Sequence, residues 1–463
     1  MIVGLIDIPC VPFKLPKEFE ELNRKKCELE NKIAENEFGF SLDGYVKKNY
    51  SIGLLTIAAY LKKNSINVIY SHYEDEKKIE NMIKECSIIG ISSMSPFLSI
   101  VFEIAKKIKK QNQNIKVVVG GPGPTNEPLR YLSTNNIDVA IIGEGEKTFL
   151  ELTKNINNLE NLKGIAFKKN GIIMNSPVEY LTGDELPTPD YSFLNGNIND
   201  YSINITTMRG CLYNCSFCAK FKGPVRFRPI NDVIKELDYL NKNLEKNSMV
   251  HFSDNVISIH KKRFLELMCK ISEKKYHLVF GCDVRANHVD SEIAIALNKA
   301  NFKRINIGVE DCCDFVLKKN NKGLTFKEIK SAIKTLKENT NAIISAYWMI
   351  ALPGTNEKTI QKNLMTIKEM LIKKEIDFVL PSLLKPYPGN EISKYPEKFG
   401  IRMKNDWLNW LNNYYLPMWE SDFFDQKKLI NTNKLYLKTI VDAYSKMAPK
   451  GKSKISFKNS VSI

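Results

Sequence analysis

Long hydrophobic runs are missing from this chain of 463 residues. No apolar stretch reaches the roughly 18–20 residues that a membrane helix needs. The opening stretch, "MIVGLIDIP", lacks the basic start and small-residue cleavage site of a signal peptide and reads as a first buried strand. A cytoplasmic chain is therefore expected. Cysteine is scarce too: ten residues, far too few for a disulfide scaffold. Histidine is scarcer, at positions 72, 251, 260, 277 and 288. No internal repeat is visible.

Charge of one sign is present, at 68 basic against 52 acidic residues, a net +16. The lysines are scattered as pairs at 47–48, 62–63, 106–107, 261–262 and 373–374, and the densest run is the tail "KMAPKGKSK" (446–454). Aromatic residues do not interleave with them as in a stacking platform, so a nucleic-acid partner is not expected. With 43% hydrophobic residues the chain can build sizeable cores.

An α/β fold follows from the pattern. Over residues 1–155, short strands that are apolar throughout alternate with helical periods: IVGLID, NVIYS, IIGIS, IKVVVGG and DVAIIGEGE. Such strands imply a parallel sheet covered on both faces, with ligands beyond the strands' carboxyl ends. The loops there are small and polar: Ser92-Ser93, Gly120-Gly121 and Gly143-Glu144-Gly145-Glu146. Residues 156–200 read as a linker, with "LTGDELPTPDY" rich in turn formers. Over 201–390 the alternation resumes six times, with strands at 203–208, 249–254, 277–283, 304–310, 343–350 and 377–382. Six βα units in series suggest a partial TIM-like barrel. Residues 391–463 read as a small helical cap, with three of the four tryptophans in "DWLNWLNNYYLPMW" (406–419). That segment is either a lid or a packed cap.

Chemistry concentrates in "MRGCLYNCSFCAK" (208–220), after the first barrel strand. Cys211, Cys215 and Cys218 are spaced C-x3-C-x2-C. Structural zinc wants four ligands, and the nearest histidine, His251, lies 33 residues on. A disulfide leaves one cysteine over. Three thiolates on a four-iron cluster leave one iron open for a ligand.

That spacing, with Phe217 as the aromatic before the last cysteine, resembles the radical S-adenosylmethionine (SAM) signature. "IGLLTIAAYLKK", "IIGISSMS", "VVVGGPGPT" and "AIIGEGEKT" resemble the Rossmann-like cobalamin-binding domain that precedes one large radical SAM class. The resemblance spans about residues 1–390. It implies a [4Fe-4S] cluster on Cys211, Cys215 and Cys218, with SAM chelated at its open iron. "HFSDN" (251–255) then offers Ser253 or Asp254 to the SAM amino group, and "DVRANHV" (283–289) offers Arg285 to its carboxylate. "NIGVED" (306–311) makes Glu310 a ribose or hydrogen-bonding candidate, and "LPGTNEKT" (352–359) resembles the run near the adenine. An Arg285–Glu310 ion pair between strands is the purely structural alternative. Ser92, Ser93, Gly120, Gly121, Gly143, Glu144 and Gly145 become cobalamin contacts. The D-x-H-x-x-G motif of better-known cobalamin proteins is missing, which implies a weak lower cobalt ligand or none. Tyr347 and Cys282 are candidates for a proton acceptor or radical quencher.

The implied activity is methyl transfer from methylcobalamin to an unactivated carbon by way of a 5′-deoxyadenosyl radical. A cyclase or ring-rearranging enzyme using the same cofactors is the alternative. Expected partners are a small-molecule or peptide substrate and an electron donor such as flavodoxin or ferredoxin.

Overall fold

The computed structural model describes residues 1–9, 17–38, 47–175, 177–219, 223–404 and 417–448. Its first sheet has seven strands: β1 (Ile2–Asp7), β2 (Asn67–His72), β3 (Ile88–Ser92), β4 (Lys116–Gly120), β5 (Val139–Ile141), β6 (Ile165–Lys169) and β7 (Ile172–Asn175). The order is β2-β1-β3-β4-β5-β6-β7. Strands β1 to β5 are parallel, while β6 and β7 run antiparallel. On β4, Val118 packs into one apolar core and Val117 and Val119 into another, so both faces of the sheet are covered. The chain reverses its order across β1 and β3, the topological switch point at which doubly wound sheets open a crevice.

The sheet therefore extends past residue 155. Part of the expected linker is the β6–β7 hairpin. Asn170 and Gly171, both at positive φ, turn it in the manner of a type I′ loop.

The second sheet has six parallel strands in the order β15-β14-β13-β12-β11-β8. A two-stranded ribbon intervenes between its first two strands in the chain. In chain order these are β8 (Ile203–Ile205), β9 (Met208–Arg209), β10 (Arg226–Phe227), β11 (Met249–Phe252), β12 (Val279–Val284), β13 (Phe302–Glu310), β14 (Ile343–Ile350) and β15 (Phe378–Leu383). The α/β class and the open six-stranded barrel hold. The expected strand 203–208 divides: only Ile203–Ile205 joins the barrel, and Met208–Arg209 pairs with β10 instead.

The last part mixes types, with β16 (Ile401–Met403), β17 (Trp419–Ser421) and the helix Gln426–Met447. That helix packs on Lys17–Phe38 and on Glu357–Ile372, tying the two ends of the chain together. Trp419 is buried, and its indole donates to the Leu384 carbonyl at 2.8 Å, so it is a core residue and not a lid. Trp407 and Trp410 lie outside the described residues.

Candidate active site between two sheets

The ribbon β9–β10 brackets the cysteine loop, with Arg209 opposite Arg226. Gly210 starts the loop at φ +88°, and a Cβ there would lie 2.3 Å from the Pro224 carbonyl oxygen. Only glycine fits. Two fully buried asparagines fix the loop's far side. The Ser216 N–H and hydroxyl donate to the Asn320 carbonyl (3.1 Å) and side-chain oxygen (3.2 Å), and Asn320 donates on to the Pro353 carbonyl. Asn390 donates to the Phe217 carbonyl at 3.2 Å. "LPG" thus braces the cysteine loop through Asn320.

Cys215 is buried, and Cys211 and Cys218 are half-buried. Two sulfurs on one zinc stand at most about 4.6 Å apart, twice a Zn–S bond. Among the described residues, the one group of three potential ligands within 4.8 Å of one another is Asp311, Cys312 and Cys313. The Cys211, Cys215 and Cys218 sulfurs do not all come within that distance of one another, as one small ion would require, and a cluster is the larger group that three thiolates can hold. The Asp311 group is no rival centre. Its carboxylate already accepts from the Cys313 N–H and the Asn363 side chain, and the Cys312 sulfur from Thr366.

Arg285, 7% exposed, lies 3.8 Å over the Tyr213 ring and reaches the Cys215 sulfur at 3.7 Å. It also donates to the Lys322 carbonyl, and its buried Nε has no partner. Glu310 does not pair with it. Glu310 meets Lys322 Nζ at 2.7 Å, at a positive φ of 67°. An Arg285–Glu310 ion pair is therefore not formed. The Asp254 carboxylate turns inward, accepting from the Thr207 N–H (2.7 Å), the Thr207 hydroxyl (2.7 Å) and the Met208 N–H (3.0 Å). Burial pushes its carboxyl up against the pull of those hydrogen bonds. Ser253, its neighbour, is the one that faces open space.

That space is a cavity of ≈ 900 Å³ at the carboxyl ends of both sheets. Ser92, Gly120, Gly121, Gly143, Glu144 and Gly145 line it from the first sheet, Met208, Arg209 and Gly210 from the β9–β10 ribbon and the foot of the cysteine loop, and Ser253 from the second sheet. Ser93 does not line it. Its hydroxyl meets the Tyr131 hydroxyl at 2.9 Å, and its carbonyl would lie 2.7 Å from a Cβ on Gly121, whose φ is +104°. Tyr347 and Cys282 stand off the cavity too. Tyr347 donates to Asp283 at 3.2 Å, and burial raises the Cys282 thiol. No histidine lines the cavity among the described residues.

Two groups escaped the sequence. Asp7, at the end of β1, accepts from the Ser51 N–H at 2.8 Å and from the Ser51 and Tyr70 hydroxyls, which places Ser51 on the cavity wall. Arg209 grips Glu146 at 2.5 Å, and Arg226 grips Glu144 at 2.6 Å. Burial alone would raise the Glu146 carboxyl, but the Arg209 charge and hydrogen bonds hold it below the usual range. Pairings between residues 63 and 82 positions apart leave no local sequence signal.

A cleft of ≈ 900 Å³ at a switch point, beside a cysteine loop on a partial barrel, has the arrangement of a cofactor site. The chain matches the B12 binding domain family over residues 45–153 and the Radical SAM superfamily over 205–367. It belongs to the cobalamin-binding radical SAM enzymes. An uncharacterized methyltransferase from Pyrococcus horikoshii is 26% identical, over 77% of this chain and 80% of the other. The anaerobic magnesium-protoporphyrin IX monomethyl ester cyclase of Rubrivivax gelatinosus is 22% identical, over 81% and 70%. Among solved structures, the radical SAM methyltransferase TsrM from Kitasatospora setae, with cobalamin and a [4Fe-4S] cluster bound, superposes with a TM-score of 0.65 at 14% identity, over 95% and 84%. That likeness is one of fold. Among the described residues no helix is long and apolar enough to cross a membrane.

Proposed function

We propose that this protein is a cytoplasmic methyltransferase that acts on an unactivated carbon of a small molecule or peptide, reduced by a flavodoxin- or ferredoxin-like donor. The observation that carries the reading is the cavity that the strand ends of the first sheet share with Ser253 and with both feet of the cysteine loop, Arg209, Gly210 and Ala219. When bound, the cluster with SAM supplies a 5′-deoxyadenosyl radical, and cobalamin supplies the methyl group.

The chain's own residues hold and orient. Cys211, Cys215 and Cys218 offer three sulfur ligands, and Arg285 stands beside Cys215 at 3.7 Å. The free Nε of Arg285 is a donor for the SAM carboxylate. Ser253 stands where the SAM amino group would find an acceptor, with Asp254 holding the backbone behind it. Phe217 sits within the same loop, and Glu310 pairs with Lys322 at 2.7 Å. On the opposite wall, Gly120, Gly121, Gly143 and Gly145 leave room for a large planar ligand, with Ser92 and Glu144 at its edge and Ser93 bracing Gly121.

The cyclase relative supports a second reading, with the same cofactors and no net methylation. The test is anaerobic incubation of the loaded protein with reductant, SAM and a cell extract, with S-adenosylhomocysteine and 5′-deoxyadenosine measured together. Both rising in parallel supports methyl transfer. 5′-Deoxyadenosine alone overturns it in favour of cyclisation or rearrangement.

A further inference from the structure

The cysteine loop and the Gly143–Glu146 loop belong to different sheets, yet four charges, largely withdrawn from water, lock them together. Arg209 stands two residues before Cys211, and Arg226 is its cross-strand partner at the other foot of the same loop. The Arg209 guanidinium binds both Glu146 oxygens, at 2.5 and 3.2 Å, and touches Glu144 at 3.2 Å. Arg226 binds both Glu144 oxygens, at 2.6 and 2.8 Å, and donates to the Leu181 carbonyl at 2.8 Å. Thr56 donates to Glu146 at 2.9 Å. Two guanidiniums neutralise two carboxylates, and three of the four side chains are at most 10% exposed.

Forked guanidinium–carboxylate contacts fix orientation as well as distance, because two parallel bonds resist rotation. Withdrawal from water strengthens them further. The two loops they join are those on either side of the cavity. An interface that only needed adhesion could use apolar contact, which costs no desolvation of charge.

We propose that Arg209, Glu146, Arg226 and Glu144 are positioning residues that set the separation of the two cofactors across the cavity. The inference rests on the two-cofactor reading above. It concerns the geometry between the cofactors and not the fate of the methyl group.

The test uses the full chain loaded with cobalamin and cluster, reduced to give paramagnetic Co(II) and a paramagnetic cluster. Pulsed electron paramagnetic resonance reads the distribution of distances between them. Charges are removed in pairs, as R209Q with E146Q and, separately, R226Q with E144Q, so that no buried charge is stranded. The expected result is a distribution at least about twofold broader in each double variant, since ångström-scale freedom is what preorganisation removes. Iron per chain and the thermal midpoint should stay near wild type in both double variants, and cobalt per chain in R209Q with E146Q. R209K alone, which keeps the charge but loses the fork, should broaden the distribution less. An unchanged distribution overturns the proposal. So does a broadening that merely tracks loss of cobalt or of thermal midpoint in both double variants, which marks a structural tie. A wild type that takes up no cobalamin defeats the cofactor reading itself, a result distinct from an unchanged distribution.

Discussion

Asp254 separates two accounts of the same carboxylate. On sequence it meets the SAM amino group, whereas in the structure it holds the strand end before the cysteine loop. Its Oδ1 accepts from the Thr207 and Met208 N–H groups, and its Oδ2 from the Thr207 hydroxyl. Asp254→Ala strands two buried N–H donors, at about 1–3 kcal/mol each, for a total of about 4 kcal/mol. That is a large share of a total stability of roughly 5–15 kcal/mol. Asp254→Asn keeps the Oδ1 acceptor. Its amide donates to a Thr207 hydroxyl that rotates to accept, so the loss is about 1 kcal/mol. Anaerobic urea unfolding of the cofactor-free chain measures both variants. Iron uptake and SAM cleavage are then read on reconstituted protein. The Ala variant should lose stability and iron, and the Asn variant should cleave SAM within about threefold of wild type. Wild-type stability in the Asn variant with cleavage abolished would refute the strut and return the carboxylate to the cofactor.

Three further outcomes follow from the same geometry. Gly210→Ala forces a Cβ to 2.3 Å from the Pro224 oxygen at φ +88°, so iron per chain after reconstitution should fall severalfold; retention of wild-type iron would contradict the close approach. Burial pushes the Asp311 carboxyl up from 3.8 to about 6. A carboxyl raised on folding stabilises fully below its unfolded value, and that contribution is lost as pH rises through the folded one. Relative to Asp311→Asn, the wild type should therefore lose about 2.4 kcal/mol between pH 4 and 7 in urea unfolding; parallel pH curves would refute the shift. Glu310→Gln strands the Lys322 ammonium at a cost of about 3–5 kcal/mol, and Lys322→Met added to it should restore most of the thermal midpoint. A near-neutral single variant would count against the pair.

Much of this architecture is legible because parallel strands buried on both faces are apolar throughout. Runs such as KVVVG and IISAYWMI announce themselves, and the cysteine spacing carries its own chemistry. The β6–β7 hairpin was legible in principle. Asn170-Gly171 between IAFKK and IIMN is a strong turn signal, masked by the turn-rich stretch that follows. The division of 203–208 was not legible. INITTM is uniformly strand-like, and only the antiparallel partner at Arg226–Phe227 draws Met208 out of the barrel. The direction of the Asp254 carboxylate and the two Arg–Glu pairs lie beyond any local pattern, because each depends on tertiary approach between distant segments.

The central claim is that one chain holds two cofactors facing a common cavity, and metal content tests it most directly. Reconstituted wild type should carry about four irons and one cobalt per chain. The variant with Cys211, Cys215 and Cys218 all replaced by alanine should lose the iron and keep the cobalt. Loss of both metals together, or iron retained without the three cysteines, would contradict the account.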